Sequence, residues 1–334
     1  VQAPMAGSSD AELAISVSNA GGLGSLPCAM LRPDQIRAAV TTFRERTSGP
    51  INLNFFCHTP HAPDAEREAQ WKRTLTSYYT EFGIDPSPAS PAPVRAPFDD
   101  AMCDVVEDLK PEVVSFHFGL PPQSLLTRVK AAAAKVLSSA TTVAEAVWLE
   151  QHGCDVVIAQ GIEAGGHRGM FLTTDIASQV GTMALVPQIV DAVKVPVIAA
   201  GGIMDARGIA AAFALGAAAV QLGTAYLRCK ECATSAVHRR ALETVRDGAT
   251  VLTNIFTGRP ARGIVNRLIR ELGSMRDDVP AFPRASHALA PLRAHAEARA
   301  SGDFSPLWAG QGAAMAKDTD AATLTRELME RLKP

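Results

Sequence analysis

Short apolar runs rich in β-branched residues recur along the chain, and longer stretches with helical spacing lie between them. Eight runs are typical of buried strands: residues 1–4, 22–26, 51–55, 113–117, 136–139, 156–159, 195–199 and 219–222. Helical patterns cover residues 10–20, 33–47, 123–134, 142–152, 185–193 and 206–215. Strands that alternate with helices pair in parallel, because each helix carries the chain back across the sheet. The pattern therefore predicts an α/β protein with a closed (β/α)8 TIM barrel.

Two stretches do not fit the repeating units. Residues 58–110 form an insertion after strand 3, in which residues 64–82 predict a helix and residues 87–93 a proline-rich loop. Because the insertion leaves the top of a strand, we expect it to roof the functional site. After residue 229 the pattern changes to helices, with a β-like stretch over 250–256 and a basic turn over 257–263. We therefore predict a TIM barrel over 1–229, a smaller, mainly helical cap subdomain over 230–310, and over 311–334 a C-terminal helix that returns to the barrel.

Composition and charge exclude several classes of protein. The 334 residues are 47% hydrophobic and 20% charged, which suits one large core and a smaller domain. The net charge of −2 and the lack of a basic run argue against nucleic acid and anionic membranes as partners. No apolar run approaches the roughly 18 residues of a membrane span, and no signal-peptide pattern opens the chain. Because the chain begins without Met, we expect a few native residues before Val1.

Cysteine and histidine spacing predicts no metal site. The six cysteines are scattered through a large chain, which is typical of a protein from the reducing cytoplasm. They are Cys28, Cys57, Cys103, Cys154, Cys229 and Cys232. The C-x-x-C of Cys229 and Cys232 has no second pair to complete a zinc site, so we interpret it as structural. His58 and His61 lie beside Cys57 without further ligands, and we expect them in a solvated loop.

Glycines follow the last two predicted strands, at the end where TIM barrels carry their active sites. Gly201 and Gly202 precede a helix, and the eighth strand closes with Gln221, Leu222, Gly223 and Thr224. Phosphate sites of such barrels use backbone N–H groups of these two loops, and glycine permits a close approach. Together the loops favour a mononucleotide phosphate site. For either loop alone, glycines that only cap a turn are the alternative.

Amide side chains interrupt otherwise apolar strands. Asn54 on the third strand and Gln160 at the end of the sixth need polar partners when they are buried. A flavin ring would supply such partners, because it presents donors and acceptors in one plane. Asn52 shares the face of Asn54 by strand alternation and is a lesser candidate. No lysine lies at a strand top to face the flavin N1 atom, so backbone dipoles or an arginine would serve there.

Two histidines lie at the same end of the predicted barrel. His167 follows the sixth strand in the glycine-rich stretch QGIEAGGHRG, and His117 ends the fourth strand. An imidazole with a pKa near 6.5 can act as a general base or, when protonated, hold an anion. The alternatives are a surface or satisfied core histidine for His167 and burial against the insertion for His117. Glu163 and Arg168 flank His167, and we interpret them as an ion pair that braces the loop.

Nine stretches of the chain resemble the nitronate monooxygenase family, formerly called 2-nitropropane dioxygenases. They are QAPMAG, SNAGGLGS, PINLNFF, VSFHFGLP, QGIEAGGHRG, PVIAAGGI, QLGTAYL, TGRPARG and LWAGQGA. VSFHFGLP together with EAGGHRG indicates the first, bacterial and fungal class, class I. The chain departs from the family at Ser8, Ser9 and Asp10, where members usually carry another glycine and a threonine, and it has only three tyrosines. These departures bear on substrate size and preference.

The resemblance implies an FMN enzyme that oxidises alkyl nitronates with dioxygen to a carbonyl compound and nitrite. It assigns His167 as the active-site histidine, and His117 and Met5 to the substrate pocket. It assigns FMN contacts to Pro4, Met5, Asn54, Gln160, Gly165, Gly166, Gly201, Gly202, Gln221, Leu222, Gly223 and Thr224. A nitronate and dioxygen are then the expected partners, and a homodimer is left open.

Three other functions are alternatives to nitronate oxidation. An NAD(P)H-dependent flavin reductase acting on quinones or enoyl thioesters is the nearest, because related barrels share the Gly-Gly-His loop. No G-x-G-x-x-G fingerprint follows a strand here, which argues against it. Chemistry like that of inosine monophosphate dehydrogenase needs a cysteine nucleophile in the loop after the sixth strand, where none occurs. A ligand-binding barrel without catalysis is the third alternative.

Overall fold

A computed structural model describes residues 1–86 and 95–330, and the proline-rich loop predicted over 87–93 lies outside these ranges. Within these ranges, seven parallel strands form one curled sheet and follow one another in chain order, while the two-residue strand β6 (Gly166–His167) belongs to a second sheet. The seven strands are β1 (Gly24–Pro27), β2 (Ile51–Phe56), β3 (Val113–His117), β4 (Lys135–Ala140), β5 (Val156–Gln160), β7 (Val197–Ala200) and β8 (Ala219–Gln221). Consecutive strands of this sheet are hydrogen-bonded neighbours, as expected of a parallel barrel.

The first predicted strand closes the barrel between β8 and β1. Gln2 forms a parallel bridge with Leu222, where the Ala3 N–H donates to the Leu222 carbonyl at 2.8 Å. On its other side, the Gln2 N–H donates to the Leu23 carbonyl at 3.0 Å. Pro4 has no N–H to extend the hydrogen-bond ladder, so this N-terminal segment forms an isolated bridge instead of a full strand. The predicted (β/α)8 TIM barrel is confirmed.

Helices follow most of the strands and cover the outside of the sheet. In the described ranges they are α1 (Ala11–Asn19), α2 (Pro33–Arg46), α3 (Ala65–Thr74), α4 (Thr76–Phe82), α5 (Asp100–Leu109), α6 (Gln123–Ala131), α7 (Val143–Gln151), α8 (Thr182–Ala192), α9 (Ala206–Ala214), α10 (Ala236–Thr244), α11 (Arg267–Leu272), α12 (Ala285–Glu297) and α13 (Ala321–Glu330). The helix α13 packs on α1. In residues 1–86 and 95–330, no helix combines the length and apolar character needed to cross a membrane.

The two faces of the barrel strands have different surroundings. Outward-facing residues such as Val157, Val197 and Ala199 pack with helix residues in the largest core. Inside the barrel, an apolar layer is formed by Leu137, Ile158, Ile198 and Ala200. Burial of each large aliphatic side chain contributes roughly 1.5–3 kcal/mol. Gln160 lies two residues beyond Ile158, so strand alternation places it on the same inner face. It is also the last residue of β5 and therefore lies at the carboxyl end of the barrel.

The insertion after β2 joins the C-terminal part of the chain. The predicted helix over 64–82 is two helices, α3 and α4, which meet at Leu75. The Trp71 indole N–H donates to the Ala285 carbonyl at 3.1 Å, and the Tyr79 hydroxyl bonds the Ala288 carbonyl. These aromatic residues share a core with Ile255 and other C-terminal residues. In contrast, α5 packs between α2 and α6, so the last part of residues 58–110 is a crossover helix of the barrel.

A small antiparallel sheet joins the histidine loop to the C-terminal part. It has the order β6-β10-β9, with β6 at Gly166–His167, β9 at Thr250–Thr253 and β10 at Ala261–Ile264. His167 is paired with Ala261. The basic stretch predicted as a turn over 257–263 therefore enters a strand. Its arginines and glycines hid the strand pattern, and the pairing with a distant two-residue strand is absent from local sequence.

Candidate active site

A cavity opens at the carboxyl ends of the barrel strands. With the solvent-filled space at its open mouth included, it encloses about 1380 Å³. The predicted site residues that line it are Pro4, Met5, Asn54, His117, Gln160, Gly165, Gly166, His167, Gly201, Gly202, Gln221, Gly223 and Thr224. The barrel thus brings together residues that are more than 200 positions apart in the chain. The cavity lies at the end of the barrel where active sites of this fold are found.

Leu222 is the predicted contact that the structure does not bring to the cavity wall. Its side chain is 3% exposed and belongs to the core between sheet and helices. Strand alternation explains this position, because Gln221 and Gly223 face the cavity and the residue between them faces outward. Its backbone pairs with the segment that closes the barrel.

Several lining residues were not predicted from the sequence. They are Ser139, Met204, Arg95, Trp308, Gly310 and Gly312. Gly310 and Gly312 lie in the LWAGQGA stretch, and its glycine-rich composition is the signal that points to them. No periodicity marks Arg95 or Trp308, because they come from irregular segments outside the barrel units.

The turn after the N-terminal bridge segment holds Pro4 and Met5 at the cavity. The Met5 N–H donates to the Ser9 hydroxyl oxygen at 3.0 Å, and the Ser9 N–H donates to the Met5 carbonyl at 2.8 Å. Ser9 is one of the positions at which the chain departs from the family pattern. Its hydroxyl therefore closes the turn locally.

Three backbone segments meet at one end of the cavity. Gly201 and Gly202 have φ angles of 119° and 70°, which favour glycine. Gly223 immediately precedes a one-turn 3-10 helix, Thr224–Tyr226. The Gly310 N–H donates to the Thr224 hydroxyl oxygen at 2.9 Å, so the C-terminal segment lies against the same loop. Glycine loops and a short helix start are the groups that phosphate sites of TIM barrels use.

Buried amides also line the barrel mouth. Asn54 donates from Nδ2 to the Ser115 hydroxyl oxygen at 2.9 Å. Gln160 donates from Nε2 to the His167 carbonyl at 3.0 Å and accepts from the Gly169 N–H at 2.8 Å. Its amide thus fixes the histidine loop. Among the described residues, Oε1 of Gln221 has no hydrogen-bond partner, and a buried acceptor in a cavity wall normally finds a donor on a ligand or an ordered water.

Asn52 lies below the cavity in the barrel interior. Its Nδ2 donates to the Ser25 hydroxyl oxygen at 3.0 Å, and that hydroxyl donates to the Gln2 carbonyl at 2.6 Å. Asn52 does not line the cavity. It belongs to a polar layer that connects the N-terminal bridge segment to β1 and β2.

His167 is a neutral imidazole held at the cavity wall. Its Nε2 lies 2.8 Å from Oγ1 of Thr257. Phe282 and Trp308 pack against the ring with centroids 5.4 and 5.5 Å away. Burial, followed by the nearby Arg95 guanidinium, holds the pKa of His167 well below its usual value of 6.5. A neutral imidazole can accept a proton but supplies no positive charge for an anion.

His117 lines the cavity with both ring nitrogens hydrogen-bonded. Nε2 lies 3.2 Å from the His167 carbonyl oxygen, and Nδ1 lies 3.1 Å from the Ser139 hydroxyl. Since a carbonyl only accepts, Nε2 carries the proton and Nδ1 accepts from Ser139. Burial lowers the pKa of His117 to about 4. These bonds make His117 a positioning residue for the His167 backbone.

The predicted ion pair between Glu163 and Arg168 is wrong. Arg168 is 0% exposed and donates to the carbonyls of Gln160 and Gly161, both at 2.6 Å. Glu163 instead accepts from the Thr182 N–H at 2.9 Å, at the first residue of α8. A carboxylate at a helix N-terminus is favourable, and buried carbonyls need donors. Each residue therefore braces the loop through its own backbone partners.

His58 is buried, in contrast to the solvated loop predicted for it. It is 4% exposed, and its ring meets Phe282 edge to face at 4.9 Å between centroids. Burial lowers the pKa of His58 to about 4. His61 is exposed, as predicted. In the described part of the chain, no group of three or more His, Cys, Asp or Glu is arranged to hold a metal ion.

Comparisons with known proteins agree with this geometry. The family model described as nitronate monooxygenase matches residues 1–331. A nitronate monooxygenase of Pseudomonas aeruginosa is 42% identical, over 100% of this chain and 95% of the relative. The structure of a nitroalkane oxidase from Streptomyces ansochromogenes is similar with a TM-score of 0.91 and 38% identity, over 99% of this chain and 94% of that one.

A second solved structure, FabK from Thermotoga maritima, has a TM-score of 0.74 and 28% identity, over 99% of this chain and 91% of that one. Both the identity and the TM-score are lower than for the nitroalkane oxidase. The family match covers almost the whole chain, including the strand ends, the histidine loop and the C-terminal glycine segment. The chain therefore belongs to the nitronate monooxygenase family of oxidoreductases.

Proposed function

We propose that this protein oxidises alkyl nitronates with dioxygen to a carbonyl compound and nitrite, with FMN as its cofactor. The observation that carries the proposal is the cavity itself, where glycine loops, an unpartnered amide oxygen and a neutral histidine face one space. Membership of a family that is flavin-dependent in general supports the cofactor class. Rival barrels with a nucleophilic loop cysteine are not supported, because Gly161–Met170 contains none.

The residues present fit FMN. Backbone N–H groups around Gly202, Gly223 and Thr224 would hold the phosphate, as glycine loops and a helix start do in other barrels. Oε1 of Gln221 would accept from a ring N–H and so gain the partner that the protein does not supply. When bound, FMN supplies the electron transfer from substrate to dioxygen that side chains cannot perform.

The protein's own residues orient the substrate and handle its proton. His167 is directed by Thr257 through Nε2, which leaves the Nδ1 lone pair as the basic atom. For a neutral nitroalkane, this lone pair would take the α-proton and give the nitronate. Phe56 and Trp308 also line the cavity and exclude water from this space. A nitronate already lacks the α-proton and does not need this step.

The test begins with the visible spectrum of the purified protein, followed by aerobic nitrite release from ethyl nitronate and propionate 3-nitronate. We expect a yellow protein that releases nitrite from at least one of them. A colourless protein that fails to bind added FMN would contradict the proposal. Rapid bleaching of the flavin on anaerobic mixing with NADH, without nitrite release in air, would favour the flavin reductase instead.

A further inference from the structure

Arg95 is a cation in the wall of the cavity, and residues 1–86 and 95–330 provide no counter-ion for it. Among the described residues that line the cavity, it is the only arginine, lysine or carboxylate. Its Nη1 is buried and has no hydrogen-bond partner in the part of the chain that the structure describes. None of the ion pairs formed within residues 1–86 and 95–330 includes it. A buried charge normally has a partner, because its transfer out of water costs free energy that pairing offsets.

The surroundings of Arg95 are aromatic or basic. The guanidinium carbon lies 5.8 Å from the centroid of the Phe282 ring, which also packs against His167. Burial and the positive charge of Arg293 lower the pKa of Arg95. The guanidinium in turn lowers the pKa of His167 and His58, so its electrostatic influence reaches both imidazoles. The cavity wall around Arg95 therefore carries positive charge and favours a negatively charged ligand.

The two candidate anion-binding groups therefore differ. His167 is neutral over the physiological pH range because its pKa is held well below 6.5. Arg95 remains charged and presents a planar fork of N–H donors. A nitronate group is also planar and shares one negative charge between two oxygens. Guanidinium forks bind such pairs of oxygens with two parallel hydrogen bonds.

We propose that Arg95 binds the two oxygens of the anionic substrate and so sets the preference of the cavity for a planar oxyanion. This inference rests on the proposed function for the identity of the oxyanion. It assigns binding of charge to Arg95 and proton transfer to His167. The substrate class is then a planar alkyl monoanion, whose alkyl part would pack against the aromatic cavity walls, Phe56 and Trp308.

The test uses the purified full-length protein and nitrate, a planar oxyanion that does not react. Its binding is followed through tryptophan fluorescence, because Trp308 lines the cavity, and through competitive inhibition of ethyl nitronate oxidation. We expect Arg95→Met to weaken nitrate binding and raise the KM for ethyl nitronate by about ten- to hundredfold. Arg95→Lys, which keeps the charge but loses the fork, should fall between this variant and the wild type.

Arg32→Met is the matched control. Its side chain is 70% exposed and paired with Asp34 at 3.0 Å, outside the cavity lining, so the same charge is removed without the proposed contact. It should bind nitrate like the wild type. If Arg95→Met does not fold, Arg95→Gln replaces it. A folded uncharged variant with unchanged nitrate affinity and KM would overturn the proposal.

The outcome separates the two proposals. Nitrate binding that depends on Arg95, in a protein that releases nitrite from no nitronate, would support the anion site and overturn the proposed function. If the protein releases nitrite from ethyl nitronate but its nitrate affinity does not change in Arg95→Met, the proposed function is supported and the anion site is overturned.

Discussion

Nε2 of His167 lies 2.8 Å from Oγ1 of Thr257, which is 90 positions further along the chain. Oγ1 of Thr257 also lies 3.5 Å from the Arg259 carbonyl oxygen. With the hydroxyl proton on that carbonyl, the hydroxyl oxygen accepts from the imidazole. The contact joins the loop after β5 to the turn before β10. It determines which ring nitrogen carries the proton, and therefore which one is available to the substrate.

Removal of this hydroxyl should reduce proton transfer. We expect Thr257→Val to lower kcat for neutral nitroethane roughly three- to tenfold, because one hydrogen bond that orients the imidazole is lost. Oxidation of ethyl nitronate should change little. Steady-state nitrite release from both substrates measures the difference. Thr257→Ser keeps the hydroxyl and serves as the control; if it is as impaired as Thr257→Val, hydroxyl orientation is not the cause.

Replacement of the base itself should separate the two substrates more strongly. We expect His167→Asn to retain FMN and nitronate oxidation but to lower turnover of neutral nitroalkanes by about 10²- to 10⁴-fold, the usual contribution of a general base. Rates with nitroethane and ethyl nitronate, measured on the same flavin-loaded protein, provide the comparison. Equal losses on both substrates would rule out the assignment of His167 as base.

Gly166 and Gly248 form a matched pair for testing the cofactor site. Both have a φ of 73°, and a Cβ at either position would meet no protein atom within 4 Å. Alanine at either position should therefore cost a similar free energy of unfolding, about 1–2 kcal/mol, from backbone strain. Only Gly166 lines the cavity.

We expect Gly166→Ala to weaken FMN binding, because its methyl group enters the proposed cofactor space, and Gly248→Ala to leave it unchanged. Urea unfolding of both variants checks the shared strain, and titration of the flavin-free proteins with FMN measures affinity. Equal FMN affinities in the two variants would place the cofactor away from Gly166.

Acid should destabilise the protein before its carboxylates titrate. Burial lowers the pKa of His58, His117 and His238 to about 4, whereas the unfolded chain protonates them near 6.5. Between these values the unfolded state binds more protons, so stability falls as pH falls from about 6.5 to 4 and is level above it. Each imidazole contributes up to about 1.4 kcal/mol per pH unit in this window.

The measurement is the urea midpoint as a function of pH. His238→Gln removes one of these groups outside the cavity lining, so its stability should depend less steeply on pH between 6.5 and 4. An unchanged slope would show that His238 is not buried in its neutral form.

The barrel was predictable because its signals are local. Apolar runs such as residues 156–159 and the helix patterns between them identify the strands, and parallel pairing follows from their alternation. Residues 1–4 were predicted as a strand but form only a bridge, because Pro4 limits their hydrogen bonding. The pairing of β6 with β10 was not predictable, since it joins a two-residue strand to a segment almost 100 positions away.

The candidate site divides in the same way. Gly201, Gly202 and His167 lie at strand ends, where fold geometry alone indicates chemistry. Arg95 and Trp308 reach the cavity from segments without a repeating pattern, so only three-dimensional contacts identify them. The Leu222 side chain lies outside the cavity wall, because alternate residues of a strand face opposite sides and a contiguous motif does not show which residues face inward.

The C-terminal glycine segment has a consequence for biosynthesis. Gly310 bonds Thr224, and the Gln311 N–H donates to the Glu163 carbonyl at 2.9 Å, so this segment lines a pocket whose other walls are made much earlier in the chain. A ribosome releases the barrel loops well before it reaches residue 310. The pocket is therefore completed late in synthesis, and the nascent barrel must remain soluble without the cofactor until then.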